Sequence, residues 1–289
     1  MKISKTGLKT LHQKYFPLIK SLQTFLLLIT GLAGFMSARC PVLNLPTLIR
    51  LTGSLFLAIS GSTVLNMWYD RDIDAIMPRT CNRPLSTGVI KPREAFVFGL
   101  ILSGIGITWA VGIDLLYGLV VFAGLFFDVV IYTIWLKRRT AWSILWGGIS
   151  GGMPVLAGRV LGIGGIDWIG VALALGVLFW IPTHILTFSI RYHDDYQLAR
   201  IPTFPSTYSF QTTRIIIALS SVFTALAMGF AAYGVGLTWG FLRLMGVLSV
   251  GLFILAVRSL TKPSDRITFG LFKYASVYML SSMLLMFFA

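Results

Sequence analysis

Ten acidic residues stand against 24 lysines and arginines in this sequence, and five of the ten fall in two short clusters. The first cluster reads Asn66-Met67-Trp68-Tyr69-Asp70-Arg71-Asp72-Ile73-Asp74. Asn66, Asp70 and Asp74 are spaced i, i+4 and i+8, which on a helix places three oxygen-bearing side chains on one face, about 6 Å apart per step. Two carboxylates held that way repel each other unless a cation lies between them. An all-oxygen set suits Mg²⁺, which takes one or two carboxylates and completes its shell with water and substrate phosphate. The plainer alternative, an acidic helix end facing water, explains neither an asparagine one turn deeper nor acid gathered on a basic face.

Basic and aromatic residues follow at nearby positions. Arg79 and Arg83, four apart just past the cluster, are suited to gripping diphosphate oxygens. A later run, Tyr132-Thr133-Ile134-Trp135-Leu136-Lys137-Arg138-Arg139, offers Tyr132 and Lys137 to the same space, with Lys137 as a point charge for phosphate. Each of these cations is also what a plain excess of positive charge at one membrane face would supply. The second acidic cluster is Tyr192-His193-Asp194-Asp195-Tyr196. His184 lies inside the preceding apolar block, and an ionisable residue at that depth is a functional candidate against the alternative of a satisfied structural histidine. Asp128 is the other such residue, either lining a cavity or pairing with a cation such as Lys273.

The elements that must position these groups are membrane helices. The chain has 289 residues, is 56% hydrophobic and only 12% charged, with a mean hydropathy of +0.83. Soluble domains carry about a quarter charged residues. Apolar blocks of about twenty residues, enough to cross a core about 30 Å thick, fall near 18–38, 47–69, 93–112, 115–135, 141–160, 167–190, 213–233, 238–258 and 267–288. Strand-like alternation is absent, and lipid demands that backbone groups pair internally. The expectation is one all-α bundle over residues 1–289 with about nine transmembrane helices. The basic segment before the first block resembles a signal peptide, but block after block follows without a clean cleavage site, so it reads as a retained first helix. Gly147, Gly148, Gly151 and Gly152 provide small-xxx-small pairs for close helix contact. Cys40 and Cys81 fall at opposite membrane faces on this map and fit no zinc spacing.

Most basic residues lie in the N-terminal segment and the loops 70–92, 136–140, 191–212 and 259–266. The positive-inside rule places those segments in the cytoplasm and the C-terminus outside. A net charge of +14 would suggest nucleic acid for a soluble protein. In short loops between spans it suggests anionic lipid and a diphosphate, with no nucleic-acid partner.

These residues carry a resemblance. Asn66-x3-Asp70-x3-Asp74 with Arg79-Thr80-x2-Arg83-Pro84-Leu85 resembles the UbiA superfamily of intramembrane prenyltransferases, and within it the protoheme IX farnesyltransferase (heme O synthase) branch. Tyr132-Thr133-x-Trp135-Leu136-Lys137-Arg138, Gly147-Gly148 through Pro154, and His184 followed by Asp195-Tyr196-x2-Ala199-x2-Pro202-x2-Pro205 agree in order and spacing. The resemblance implies helices around a central cavity, Mg²⁺ as cofactor, a prenyl diphosphate donor (farnesyl diphosphate in the heme branch) and heme b as acceptor. On this reading Asn66, Asp70 and Asp74 hold one Mg²⁺. Asp195 with Asp194 helps hold a second, because Ala199 stands where the superfamily often has another aspartate. Arg79, Arg83, Lys137 and Arg138 neutralise the leaving diphosphate, and His184 touches the porphyrin or moves a proton. The branch usually carries consecutive prolines where this chain has Pro154-Val155, and Gly or Asn where it has Arg200.

Three other readings are open to such a chain. A quinone or other aromatic prenyltransferase would share the donor site and differ in acceptor. A CDP-alcohol phosphotransferase would carry an Asp-Gly pair, which this sequence lacks. An ion-coupled secondary transporter would place its charged sites near the midplane, whereas the acids here cluster at one rim.

Overall fold

The computed structural model describes residues 15–38 and 45–287; the basic run from Lys2 to Lys14 and Cys40 lie outside them. Among the described residues nine long helices follow in order: α1 (Ser21–Met36), α2 (Leu45–Tyr69), α3 (Pro92–Ile113), α4 (Leu115–Leu136), α5 (Ser143–Ile163), α6 (Trp168–Arg191), α7 (Phe210–Val235), α8 (Trp239–Thr261) and α9 (Asp265–Phe287). Among the described residues all regular structure is helical. The eight helices α2 to α9 are each long and apolar enough to cross a membrane, and α1 is a shorter apolar helix of 16 residues. Their ends fall within a few residues of the apolar blocks, because without water each backbone N–H and C=O must find its partner inside its own helix.

Each helix packs on the next, and α9 packs back on α1, closing a ring. Helix α1 also lies against α5. That approach depends on glycine: a Cβ at Gly158 would overlap the Gly31 carbonyl oxygen, and one at Gly34 the Val155 carbonyl oxygen. Gly148 and Gly152 face α6 in the same manner, where Cβ atoms would stand 3.2 Å from the Leu178 oxygen and 2.8 Å from the Ala174 oxygen. In lipid, packing at close range replaces the hydrophobic drive between helices. Gly158→Ala is therefore expected to lower the thermal midpoint in detergent, while Gly229→Ala, with nothing within 4 Å, leaves it unchanged.

The end of the bundle opposite the acidic clusters is tied by Arg159. Its side chain is 6% exposed, donates to Asp167 from Nε at 2.9 Å and Nη2 at 2.6 Å, and donates to the Ser37 hydroxyl at 3.0 Å. One guanidinium thus joins the ends of α1 and α5 to the N-cap of α6, where Asp167 also accepts from the Gly170 N–H at 2.8 Å. Burial pushes the Asp167 carboxyl up, but the Arg159 guanidinium and the Gly170 N–H outweigh it and hold it below the usual range. A depressed folded-state value contributes stability above the unfolded value of about 4 and loses it as pH falls through the folded value. Arg159→Ala should cost on the order of 2 kcal/mol, less than a fully buried pair because Asp167 is 26% exposed. In wild type the thermal midpoint should fall as pH drops below about 4, and a melting series in detergent checks both.

Candidate active site

Helix α2 does not simply end at Tyr69. It loosens at Asp70 and resumes as a short helix, Arg71–Ile76. The Asp70 N–H still donates to the Asn66 oxygen (3.0 Å) and the Asp74 N–H to the Asp70 oxygen (2.8 Å). Asn66, Asp70 and Asp74 therefore keep one face and are buried, at 8%, 2% and 6% exposure. Each meets a cation. The Asn66 amide is oriented by its Nδ2, which donates to Thr133 Oγ1 (2.8 Å), while Thr133 Oγ1 donates to the Asp128 carbonyl (2.7 Å). Asn66 Oδ1 is left to accept from Lys20 Nζ at 3.2 Å. Asp70 Oδ2 accepts from Lys137 Nζ, and Asp74 Oδ2 accepts from Arg83 Nη1 at 2.6 Å.

Lys20 reaches this place through backbone geometry. It separates a single 3₁₀ turn, Phe16–Ile19, from α1 and adopts a left-handed conformation, φ 43°. As a non-glycine it bears a strain of order 1–2 kcal/mol there. The sequence offered no sign of this role, since Lys20 was one more lysine in a basic segment.

The cytoplasm-facing half of α4 as read from sequence, Phe126–Leu136, is a π-helix. Lys137 N–H donates to the Tyr132 oxygen, five residues back, at 2.8 Å. Winding of about 100° per residue in an α-helix would put Lys137 opposite Asp128. At about 4.4 residues per turn Asp128, Tyr132 and Lys137 share one face instead. Gly147 on α5 leaves room for the Tyr132 ring, which lies 3.4 Å from where its Cβ would be.

That face forms one wall of a cavity of about 210 Å³. Lys20, Asn66, Asp74, Arg79, Arg83, Asp128, Tyr132 and Lys137 line it, with Ile185, Leu186 and Ser189 of α6 and Tyr196 beyond them. Asp70 sits behind Lys137. The loops carrying the two acidic clusters close together through Ile73, Met77 and Ile201, with Tyr196 and Ala199 packed against them. Arg79 lies over the rings of Phe188 (4.8 Å) and Tyr192 (5.5 Å).

Four expected site residues are not on this wall. Arg138 donates twice to Asp72, at 2.7 Å each, and to the Tyr69 carbonyl at 2.8 Å, and stands 3.9 Å from Asp70 Oδ1. Its guanidinium holds the Asp72 carboxyl below the usual range. Asp194 is exposed and Asp195 half-buried in the short helix His193–Leu198. His184 stacks between Trp180 (4.7 Å) and Phe272 (4.4 Å), with Nδ1 3.2 Å from Ser276 Oγ. The cavity face of α6 carries Ile185 and Ser189, one turn apart, and His184 points about 100° away from it.

Mg²⁺ fits the first cluster by one direct sign. Asp70 Oδ1 is buried without a hydrogen bond, a state that costs free energy unless a cation completes it. Among the described residues no three His, Cys, Asp or Glu side chains converge on one point. The donor set is two carboxylates and an amide, leaving the remaining positions to water and phosphate.

The chain is similar to known proteins in sequence and in fold. The model of the UbiA prenyltransferase family matches residues 27–277. A protoheme IX farnesyltransferase from Archaeoglobus fulgidus is 44% identical over 219 residues, 73% of this chain and 77% of that one. A digeranylgeranylglyceryl phosphate synthase structure superposes with a TM-score of 0.81 at 18% identity, over 97% of this chain and 98% of that one. A UbiA homologue from Archaeoglobus fulgidus bound to GPP and Mg²⁺ superposes with a TM-score of 0.68 at 15% identity, over 94% of this chain and 99% of that one. With a family match spanning most of its length and that ring of helices, the chain belongs to the UbiA prenyltransferase family.

Proposed function

We propose that the chain transfers a farnesyl group from farnesyl diphosphate to a vinyl group of heme b, with Mg²⁺, at the cytoplasmic face of a membrane. The observation that carries the reading is one buried face, Asn66, Asp70 and Asp74, each residue already met by a cation beside a single cavity. The farnesyl donor and heme acceptor rest on the name of the relative from Archaeoglobus fulgidus, and the basic loops support the orientation.

Asn66, Asp70 and Asp74 would hold Mg²⁺, which when bound neutralises the diphosphate and makes it a better leaving group. Arg79, Arg83 and Lys137 meet the charge that develops on the leaving oxygens, the term that commonly dominates catalysis in a water-poor site. Lys20 adds a fourth cation from α1. Arg138 fixes the loop through Asp72 and Tyr69 rather than meeting substrate. Asp195, next to cavity-lining Tyr196, is the nearer of the two acids in the second cluster to serve a second Mg²⁺. Ile144, Ile185, Leu186 and Phe204 keep water from the allylic cation.

Purified protein incubated with farnesyl diphosphate, heme b and Mg²⁺ should yield prenylated heme by mass spectrometry. Chelation of Mg²⁺ should stop it. Prenylation of hydroxybenzoate-like acceptors with heme untouched would overturn the acceptor, and absence of diphosphate release would overturn the chemistry.

A further inference from the structure

Asp128 is a carboxylate inside a membrane span that the donor chemistry does not use. It lines the cavity. One oxygen accepts from Ser62 Oγ, and the other has no hydrogen-bond partner among the described residues. It makes no ion pair among them either, so Lys273, the cation it was expected to meet as an alternative, is not its partner; that lysine lies over the Phe269 ring at 4.6 Å. Asp128 is half-buried on this cavity, so its second oxygen is not sealed into the helix packing.

Its position along α4 has an order. Lys137 stands at the rim with Asp70, Tyr132 comes next and Asp128 is deepest, roughly 10 Å from Lys137 along the axis. Lys137 joins that line only because the segment is π-wound, whereas Asp128 and Tyr132, four apart, would share a face on an α-helix as well. The reacting atoms must lie in the same order: diphosphate at the rim, the prenyl C1 just inside it, and the acceptor carbon beyond C1. Gln23 and Thr63 line the same cavity and supply further polar groups, so a water there has the several partners it needs.

We infer that Asp128 is the general base that takes a proton from the water completing the reaction. The inference rests on the heme reading above. The C1–O bond breaks with its electron pair leaving on diphosphate. The vinyl π pair forms the new C–C bond to C1, which leaves a cation on the vinyl carbon attached to the ring. A lone pair of water fills that carbon, and the water's proton passes to the Asp128 carboxylate and then to solvent. Without the base the same cation loses a proton from the adjacent methylene, giving an alkene lighter by one water.

The test compares product partition in wild type and Asp128→Asn with farnesyl diphosphate, heme b and Mg²⁺, alongside diphosphate release. The ratio of hydroxylated to dehydrated product should fall at least about tenfold, with diphosphate release within about twofold of wild type. Asp128→Thr, neutral and of similar size, gives the same reading should the asparagine variant not fold. An unchanged ratio overturns the assignment. So does an equal fall in hydroxylation and diphosphate release, which would make Asp128 structural. Wild type that releases diphosphate without prenylating heme sinks the acceptor reading itself, a result distinct from either.

Discussion

Asp70→Asn should lose turnover by about a thousandfold, read as diphosphate release from farnesyl diphosphate in Mg²⁺, while the protein remains folded. Asp70 carries one buried oxygen without a hydrogen bond, 3.9 Å from Arg138, and another bound to Lys137. The amide keeps the size and can still accept from Lys137, but it removes the negative charge that would bind a divalent cation. Losing that charge removes electrostatic stabilisation of the leaving group, a term worth about 10²–10³ for a single donor in comparable sites. A metal that also positions the substrate adds to it. Asp70→Ala should behave differently in a second measurement. It leaves Lys137, only 19% exposed, without its anion, and uncompensated buried charge is costly, about 3–5 kcal/mol in fully buried pairs. The thermal midpoint should therefore fall for alanine well beyond its change for asparagine. Equal midpoints with full activity in both would remove the metal assignment.

Much of this architecture was legible because lipid leaves a chain few choices. Blocks of about twenty apolar residues became helices with nearly the expected ends, and the i, i+4, i+8 spacing of Asn66, Asp70 and Asp74 survived because two backbone hydrogen bonds carry it through the break at Asp70. Arg83 could be guessed but not distinguished from its neighbours by charge alone. In the fold it reaches Asp74, whereas Arg138, equally basic, is turned outward by Asp72. Lys20 was hidden because its role depends on a left-handed residue and on contact with a helix 46 positions away. His184 was left open for the opposite reason: depth in the membrane marks an ionisable residue as unusual, but only rotation about the helix decides whether it faces a cavity or a pair of aromatic rings.

Arg200 shows how a local oddity of sequence becomes a structural statement. The position where the heme branch usually carries Gly or Asn has a positive φ of 53° here. Left-handed backbone costs a residue with a Cβ roughly 1–2 kcal/mol. Arg200→Gly is expected to regain part of that, raising the thermal midpoint by a few degrees without changing diphosphate release. A fall in midpoint would mean that the arginine side chain compensates for its backbone.

Lys137 carries the second large effect, and its argument runs through helix geometry. Five residues separate it from Tyr132, an interval that on an α-helix turns the two about 140° apart. The π-wound stretch brings both to the cavity, and the 2.8 Å bond from the Lys137 N–H to the Tyr132 oxygen is what holds that winding at its end. Since π-helix is rare and concentrates at functional sites, the winding is best understood as the means of delivering this ammonium to the diphosphate. Lys137→Met keeps the length and apolar stem while removing the charge, and should lower kcat for diphosphate release by about 10²–10³. Lys137→Arg keeps the charge but is bulkier and planar, so it should recover only part of that rate. If the lysine served only to balance charge at the membrane face, arginine would restore full activity and methionine would reduce the amount of folded protein rather than its turnover. The two variants, measured per folded molecule, decide between a catalytic cation and a topological one.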